Sequence, residues 1–110
     1  MALDAITLAC SKFGMRAELV IRDRRIFEDG FFIEIVIWIV PEPVPPTIHG
    51  FKYRLFYGQR GRRLIGYDNE RGKGDHRHNG DVEEVYQFST IDQLLDDFEN
   101  DVVTIRGDAI

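Results

Sequence analysis

Alternating apolar and polar residues predict the strands of a β-sheet, and a stretch with helical periodicity follows them. Strands are predicted over residues 17–27, 31–40, 51–58 and 63–69, with a short last strand within EEVYQF. The second of these, FFIEIVIWIV, is apolar on both faces, which predicts a central strand covered on both sides. The segment after it, PEPVPP, cannot continue the sheet because proline lacks an N–H group and fixes φ. We expect it to cross to the next strand in an extended form.

The first two strands are predicted to form a tight hairpin. Asp29 and Gly30 accept the positive φ angles of a two-residue turn. The register that follows pairs residues whose numbers sum to 59, namely Arg25 with Glu34 and Phe27 with Phe32. Opposite charges and an aromatic pair both favour this register.

The C-terminal part of the chain predicts one amphipathic helix. Thr90 and Gln93 have the spacing of a capping box, in which the Thr hydroxyl accepts from an early helix N–H and the Gln side chain reaches back to the cap. The helix has one apolar stripe, formed by Ile91, Leu94, Leu95, Phe98 and Val102. The whole pattern predicts an α+β domain, a mainly antiparallel sheet of four to five strands with this helix packed on one face.

Length and composition set the organisation and the compartment. The 110 residues suffice for one domain, expected over residues 15–110, with residues 1–14 as an extension or a short helix. Met15 directly precedes the first strand, so either Met1 or Met15 could be the native start. A lone Cys10 favours a reducing compartment, and neither a signal peptide nor a membrane span is evident. We therefore expect a cytoplasmic protein without a cofactor.

Charge is distributed unevenly along the chain, whose net charge is -5. Residues 52–78 carry eight Lys and Arg against three acids, whereas residues 81–110 carry nine acids against one Arg. This asymmetry suits a basic binding surface beside an acidic flank, and two ordinary solvated faces would also explain it.

The basic region ends in YDNERGKGDHRHNGD, which we predict to be a glycine-rich loop. In an extended segment, His76 and His78 point to one side and Arg77 to the other, while Lys52 and Arg54 share a side of their strand. Cleavage of RNA without a metal needs a base, an acid and cations near the phosphate, and these side chains supply them. If the loop folds over the basic strand face, two imidazoles and two cations converge. The candidate residues are His76, His78 and Asp68 for proton transfer and its orientation, and Lys52, Arg54, Arg77 and His49 for phosphate.

Two other interpretations fit the same loop. The alternating His76 and His78 could ligate a divalent metal with help from other side chains, namely His49, Asp68, Asp75 and Asp81. A solvated loop whose histidines bond to neighbouring carboxylates explains the residues equally well.

Three segments resemble the TumE-like toxin family of bacterial and archaeal toxin–antitoxin pairs. They are EIVIWIVPEPVPPTIHGFKYRLFYG, IGYDNERGKGDHRHNGDVEEVYQF and TIDQLLDDFENDV, within a match from about Arg16 to Val102. The resemblance implies a toxin held inactive by a helix-turn-helix antitoxin encoded beside it. It supplies no established chemistry, so the ribonuclease hypothesis rests on the residues above.

The alternative to a ribonuclease is a non-catalytic interaction module that regulates a helix-turn-helix partner. The strand that is apolar on both faces and the acidic helix offer surfaces for such a partner or for a homodimer. Inducible expression, with and without the neighbouring reading frame, would separate a toxin from a harmless module.

Overall fold

The computed structural model describes residues 16–107, which form one antiparallel sheet and one helix. The strands are β1 (Glu18–Ile26), β2 (Phe32–Ile39), β3 (Phe51–Gln59), β4 (Arg62–Glu70), β5 (Gly74–Asn79) and β6 (Val82–Val85), followed by the helix α1 (Ile91–Arg106). Each strand pairs with the next one in the chain, so the spatial order is also the sequence order. The predicted α+β class and C-terminal helix are confirmed, but the sheet has six strands rather than four to five. The proposed N-terminal extension and the two candidate start residues lie outside the described part of the chain.

The additional strand is β5, which lies within the stretch that the sequence predicted to be a glycine-rich loop. All six of its residues pair with β4, from Ile65 opposite Asn79 to Glu70 opposite Gly74. Gly72 and Gly74 adopt φ angles of 87° and 79° in the turn that reverses the chain between the two strands. The loop prediction was wrong because GDHRHN contains no apolar residue, whereas its polar side chains find partners on both faces of the sheet.

The first hairpin has a three-residue loop, so the predicted register was wrong by one residue. The Phe27 N–H donates to the Phe31 carbonyl at 2.8 Å, and Gly30 takes the left-handed conformation with φ 88°. This is the common three-residue loop that places glycine at its last position. In the observed register Glu34 is opposite Arg24 instead of Arg25.

The helix begins and packs as its sequence indicates. The Thr90 hydroxyl accepts from the Gln93 backbone N–H at 3.0 Å, although the Gln93 side chain donates to Asp97 rather than returning to the cap. The predicted stripe faces the sheet and completes a single core, whose buried members are Ile33, Ile37, Tyr53, Leu55, Tyr57, Ile65, Tyr67, Leu94, Phe98 and Val102. No helix within residues 16–107 is long and apolar enough to span a bilayer.

The two faces of the sheet differ in what covers them. We call the side that packs on α1 the helix face, and it carries the alternate residues from Tyr53 to Tyr57 on β3. The opposite side, the open face, carries Lys52 and Arg54 on β3 and the histidines of β5. The strand β2 is central, as predicted, since it lies between β1 and β3, and its side chains on the open face are partly buried. Exposure on this face is uneven, because the side chain of Arg54 is 45% exposed whereas that of His78 is 12% exposed.

Candidate functional site

Antiparallel register gathers five of the seven candidate residues on the open face. Arg54 lies opposite Asp68, and Asp68 lies opposite His76, so a guanidinium, a carboxylate and an imidazole form one row across three strands. His78 follows two positions after His76 on the same face. Lys52 precedes Arg54 in the same way on β3. The predicted convergence thus arises from pairing within the sheet and not from a loop that folds over it.

His76 is held with one ring nitrogen committed and the other free. Its Nε2 donates to the Lys73 carbonyl at 2.8 Å, which fixes the ring proton there because a carbonyl can only accept. Nδ1 is buried, has no hydrogen-bond partner among residues 16–107, and lies 3.3 Å from the Glu83 carboxylate. Nδ1 therefore carries the lone pair of the ring, beside a negative charge.

His78 is oriented by an arginine that the sequence interpretation did not include. Arg63 Nη2 donates to His78 Nδ1 at 2.9 Å, which leaves the ring proton on Nε2. Nε2 lies 4.0 Å from the Asp68 carboxylate. The Arg63 side chain reaches this position over Gly66, where an added Cβ would come within 2.6 Å of Arg63 Cδ.

Lys52 and Asp68 carry perturbed charges on this face. Burial lowers the pKa of Lys52, and the carboxylates of Asp68 and Glu70 partly oppose that effect. Its Nζ donates to the Asn69 carbonyl. Burial also raises the pKa of Asp68, against the opposing charges of His78 and Lys52. Ionisable groups kept partly dry next to one another are typical of sites that transfer protons.

Arg77 lies on the helix face, where the alternation of β5 directs it. Its guanidinium donates to both carboxylate oxygens of Asp101 at 2.8 and 2.9 Å and to Glu84 at 2.5 Å. The Tyr67 hydroxyl donates to the same Asp101 carboxylate at 2.5 Å. Since Asp101 belongs to α1, Arg77 ties the helix to the sheet, away from the open face.

His49 also lies apart from the open-face residues. Its Nε2 donates to Asp75 at 2.8 Å, and its Nδ1 accepts from the Phe51 N–H at 3.2 Å. The ring stacks on Phe88 with centroids 3.9 Å apart, and Thr47 donates to the second Asp75 oxygen. Both ring nitrogens are occupied, so His49 anchors the segment that follows PEPVPP.

The open-face residues form the candidate site: Lys52, Arg54, Asp68, His76 and His78, with Arg63 and Glu83 added by the structure. We call this set the open-face cluster. Within residues 16–107 no three His, Cys, Asp or Glu side chains are gathered in a way that could hold a metal ion. The metal hypothesis therefore has no ligand set in the part of the chain that the structure describes.

Comparison with known proteins places most of the chain in one family. The family described as Toxin TumE matches residues 13–106, which include the whole sheet and the helix. A search of curated proteins and a search of solved structures each found no match.

Proposed function

The chain belongs to the TumE toxin family, and we propose that it is the toxin of a cytoplasmic toxin–antitoxin pair that cleaves RNA without a metal ion. The observation that carries the proposal is the row of Arg54, Asp68 and His76 on the open face, with His78 beside it. These are the cation, carboxylate and imidazoles that metal-free phosphodiester cleavage needs. They lie on adjacent strands, which fixes their spacing without a substrate.

In the proposed reaction, the Glu83 carboxylate, whose side chain is 41% exposed, moves away from the buried Nδ1 of His76, and Nδ1 then takes the proton of the 2'-hydroxyl as the 2'-oxygen attacks phosphorus. The bond between phosphorus and the 5'-oxygen breaks, and a protonated His78 gives its proton to that leaving oxygen. A 2',3'-cyclic phosphate and a free 5'-hydroxyl result. We assign to Asp68 the orientation of the protonated His78 by charge attraction, since its carboxylate lies 4.0 Å from His78 Nε2 across β4 and β5.

Cations on the same face stabilise the charge that develops on the phosphate. Lys52 and Arg54 stand beside Asp68 and supply two of them. Arg63 supplies a third, since protonation of His78 at Nδ1 removes the acceptor that holds its guanidinium. Preorganised donors of this kind contribute a large part of the rate enhancement in many enzymes.

We also propose that a helix-turn-helix antitoxin neutralises the protein. Membership in a toxin family supports an antitoxin partner. The edge strand β1 supports a contact surface, because within residues 16–107 it pairs along one edge only and exposes the apolar side chains of Leu19, Val20 and Ile26. An added strand or an apolar segment from a partner would cover them. The same edge would serve a homodimer.

The test is incubation of the purified protein with labelled RNA, with and without a chelator. We expect His76→Gln and His78→Gln each to lower the cleavage rate by about 10²–10⁴-fold, the usual contribution of a general acid or base. His49→Gln is the matched control, since this histidine lies outside the open-face cluster. Circular dichroism establishes that each variant is folded.

Three outcomes would count against the proposal. Intact RNA in the presence of wild-type protein removes the ribonuclease assignment. Loss of cleavage on chelation replaces it with a metal-dependent reaction. Growth arrest that persists in His76→Gln and His78→Gln points instead to a non-catalytic module that acts by binding.

A further inference from the structure

A second group of side chains lies on the open face next to the cluster. The rings of Phe32 and Phe56 stack with centroids 5.1 Å apart and planes inclined by 26°. The guanidinium of Arg24 lies 4.9 Å from the Phe32 centroid, and that of Arg54 lies 5.4 Å from the Phe56 centroid. We call these four residues the arginine–phenylalanine platform. It joins the open-face cluster through Arg54, which belongs to both.

Glu34 holds the two guanidinium groups of the platform in place. Its carboxylate lies 3.9 Å from Arg24 and 3.8 Å from Arg54, between the two. The arginine side chains are nevertheless 57% and 45% exposed. Each guanidinium therefore has one side toward a phenyl ring and substantial surface open to solvent.

We propose that the arginine–phenylalanine platform binds a base of single-stranded RNA by stacking. This inference rests on the proposed function, because it supplies a subsite for the RNA that the cluster cleaves. Guanidinium planes and aromatic rings are the surfaces on which proteins stack unpaired RNA bases. A base on Arg54 would extend a stack that already contains Phe56.

The position of the platform suits one nucleotide. Arg54 lies directly opposite Asp68, and neighbouring strands are about 4.8 Å apart. A nucleotide whose phosphate contacts the cluster can therefore reach the platform with its own base. The flat side of the Arg54 guanidinium stacks on the base, while its in-plane N–H groups remain free to donate to the phosphate.

Charge on this part of the open face also matches a nucleic acid. Arg22 lies on the same face of β1 as Arg24, so this part of the face carries three arginines, and Glu34 lies 3.9 and 3.8 Å from Arg24 and Arg54. A net positive patch attracts the phosphate backbone whatever the sequence. Stacking adds a contribution to the binding affinity that, unlike charge attraction, requires the bases to be present.

The test separates stacking from charge attraction. Binding of a fluorescent single-stranded RNA is measured by anisotropy in a His76→Gln background, which prevents cleavage. The double change Arg24→Lys and Arg54→Lys keeps both charges but removes both planar groups. We expect it to weaken binding about tenfold, the loss typical for one stacked base. Arg22→Lys is the matched control, because no ring among the described residues lies under Arg22.

An abasic oligonucleotide of the same length completes the design. We expect it to bind the background protein and the double lysine variant equally, since neither can stack a base that is missing. If the two proteins bind normal RNA with equal affinity, the stacking role of the platform is refuted, while the proposal that the open-face cluster cleaves RNA is unaffected. If the wild-type protein leaves RNA uncut but binding still depends on the platform, the ribonuclease proposal falls and the base-stacking subsite stands. Absence of RNA binding by the background protein would remove the platform outright. If the double variant has a lowered melting temperature, RNA binding by the single Arg54→Lys variant is compared with that of the background protein instead.

Discussion

Arg77→Met is expected to destabilise the protein without directly affecting the open face. The substitution keeps most of the aliphatic stem and removes the guanidinium from Asp101 and Glu84. The two paired side chains, Arg77 and Asp101, are only 22% and 18% exposed. Removing one partner of a buried ion pair costs about 3–5 kcal/mol, and a hydrogen bond to a charged group contributes about 1.5–3 kcal/mol. Because this pair is partly hydrated and Asp101 keeps its bond from Tyr67, we expect a loss of about 3 kcal/mol.

The assay is urea unfolding followed by circular dichroism, combined with RNA cleavage under conditions where each variant is folded. Arg54→Met is the matched control, since its 45% exposed side chain lies 3.8 Å from Glu34 and such pairs contribute about 0–1 kcal/mol. In a double-mutant cycle with Asp101→Asn, the coupling should be about 2 kcal/mol. A folded Arg77→Met protein with wild-type stability and no cleavage would refute the reasoning and restore Arg77 as a phosphate ligand.

Three other substitutions probe the two faces separately. Asp68→Asn should abolish cleavage and stabilise the protein at pH 7, as measured by urea unfolding. Burial raises the pKa of this carboxyl, so the folded state holds the proton more tightly than the unfolded chain. The wild-type protein therefore loses stability as the pH rises above 3.8, whereas the asparagine variant does not. The gain should disappear below that pH, and equal stability at pH 7 would contradict it. Gly66→Ala should displace Arg63 from His78 and lower the cleavage rate more than the melting temperature, whereas an unchanged rate would show that Arg63 is dispensable. Thr90→Ala should lower the unfolding free energy by about 1 kcal/mol through loss of the helix cap and leave cleavage unchanged, and an unaltered midpoint would argue against the cap.

Most of the fold follows from local sequence patterns, and the errors in the predicted fold have local causes. Alternation predicted β1 to β4, and the 3.6-residue period predicted α1 with its buried Leu94, Phe98 and Val102. β5 was missed because hydrophobic alternation is the main signal for a strand, and this strand replaces apolar contacts with ion pairs and hydrogen bonds. The hairpin register was wrong because Asp29-Gly30 also fits the end of a three-residue loop.

The sequence could assign each candidate residue on a strand to one face of the sheet, but it could not tell which residues of other strands lie beside it. The two-residue period correctly put His76 and His78 on one side and Arg77 on the other. It gave no information about which strand lies beside β5, so Asp68 opposite His76 and the reach of Arg63 over Gly66 appeared only in the sheet. The distant partner of His49, Asp75, depends on how the segment after PEPVPP returns to the sheet. Such contacts are set by tertiary packing, which periodicity does not encode.

The contrast between the two faces gives a physical reason to place function on the open one. On the helix face, Arg77 and His49 have filled their hydrogen-bonding capacity with carboxylates and backbone groups, and this holds the helix and the proline-rich segment on the sheet. On the open face, burial shifts the pKa of Asp68 and Lys52 toward the uncharged forms, and His76 keeps a buried Nδ1 without a hydrogen-bond partner among the described residues. Such groups lower stability, and an apolar face would serve folding better. Their concentration on one face is the physical argument for placing the proposed site there.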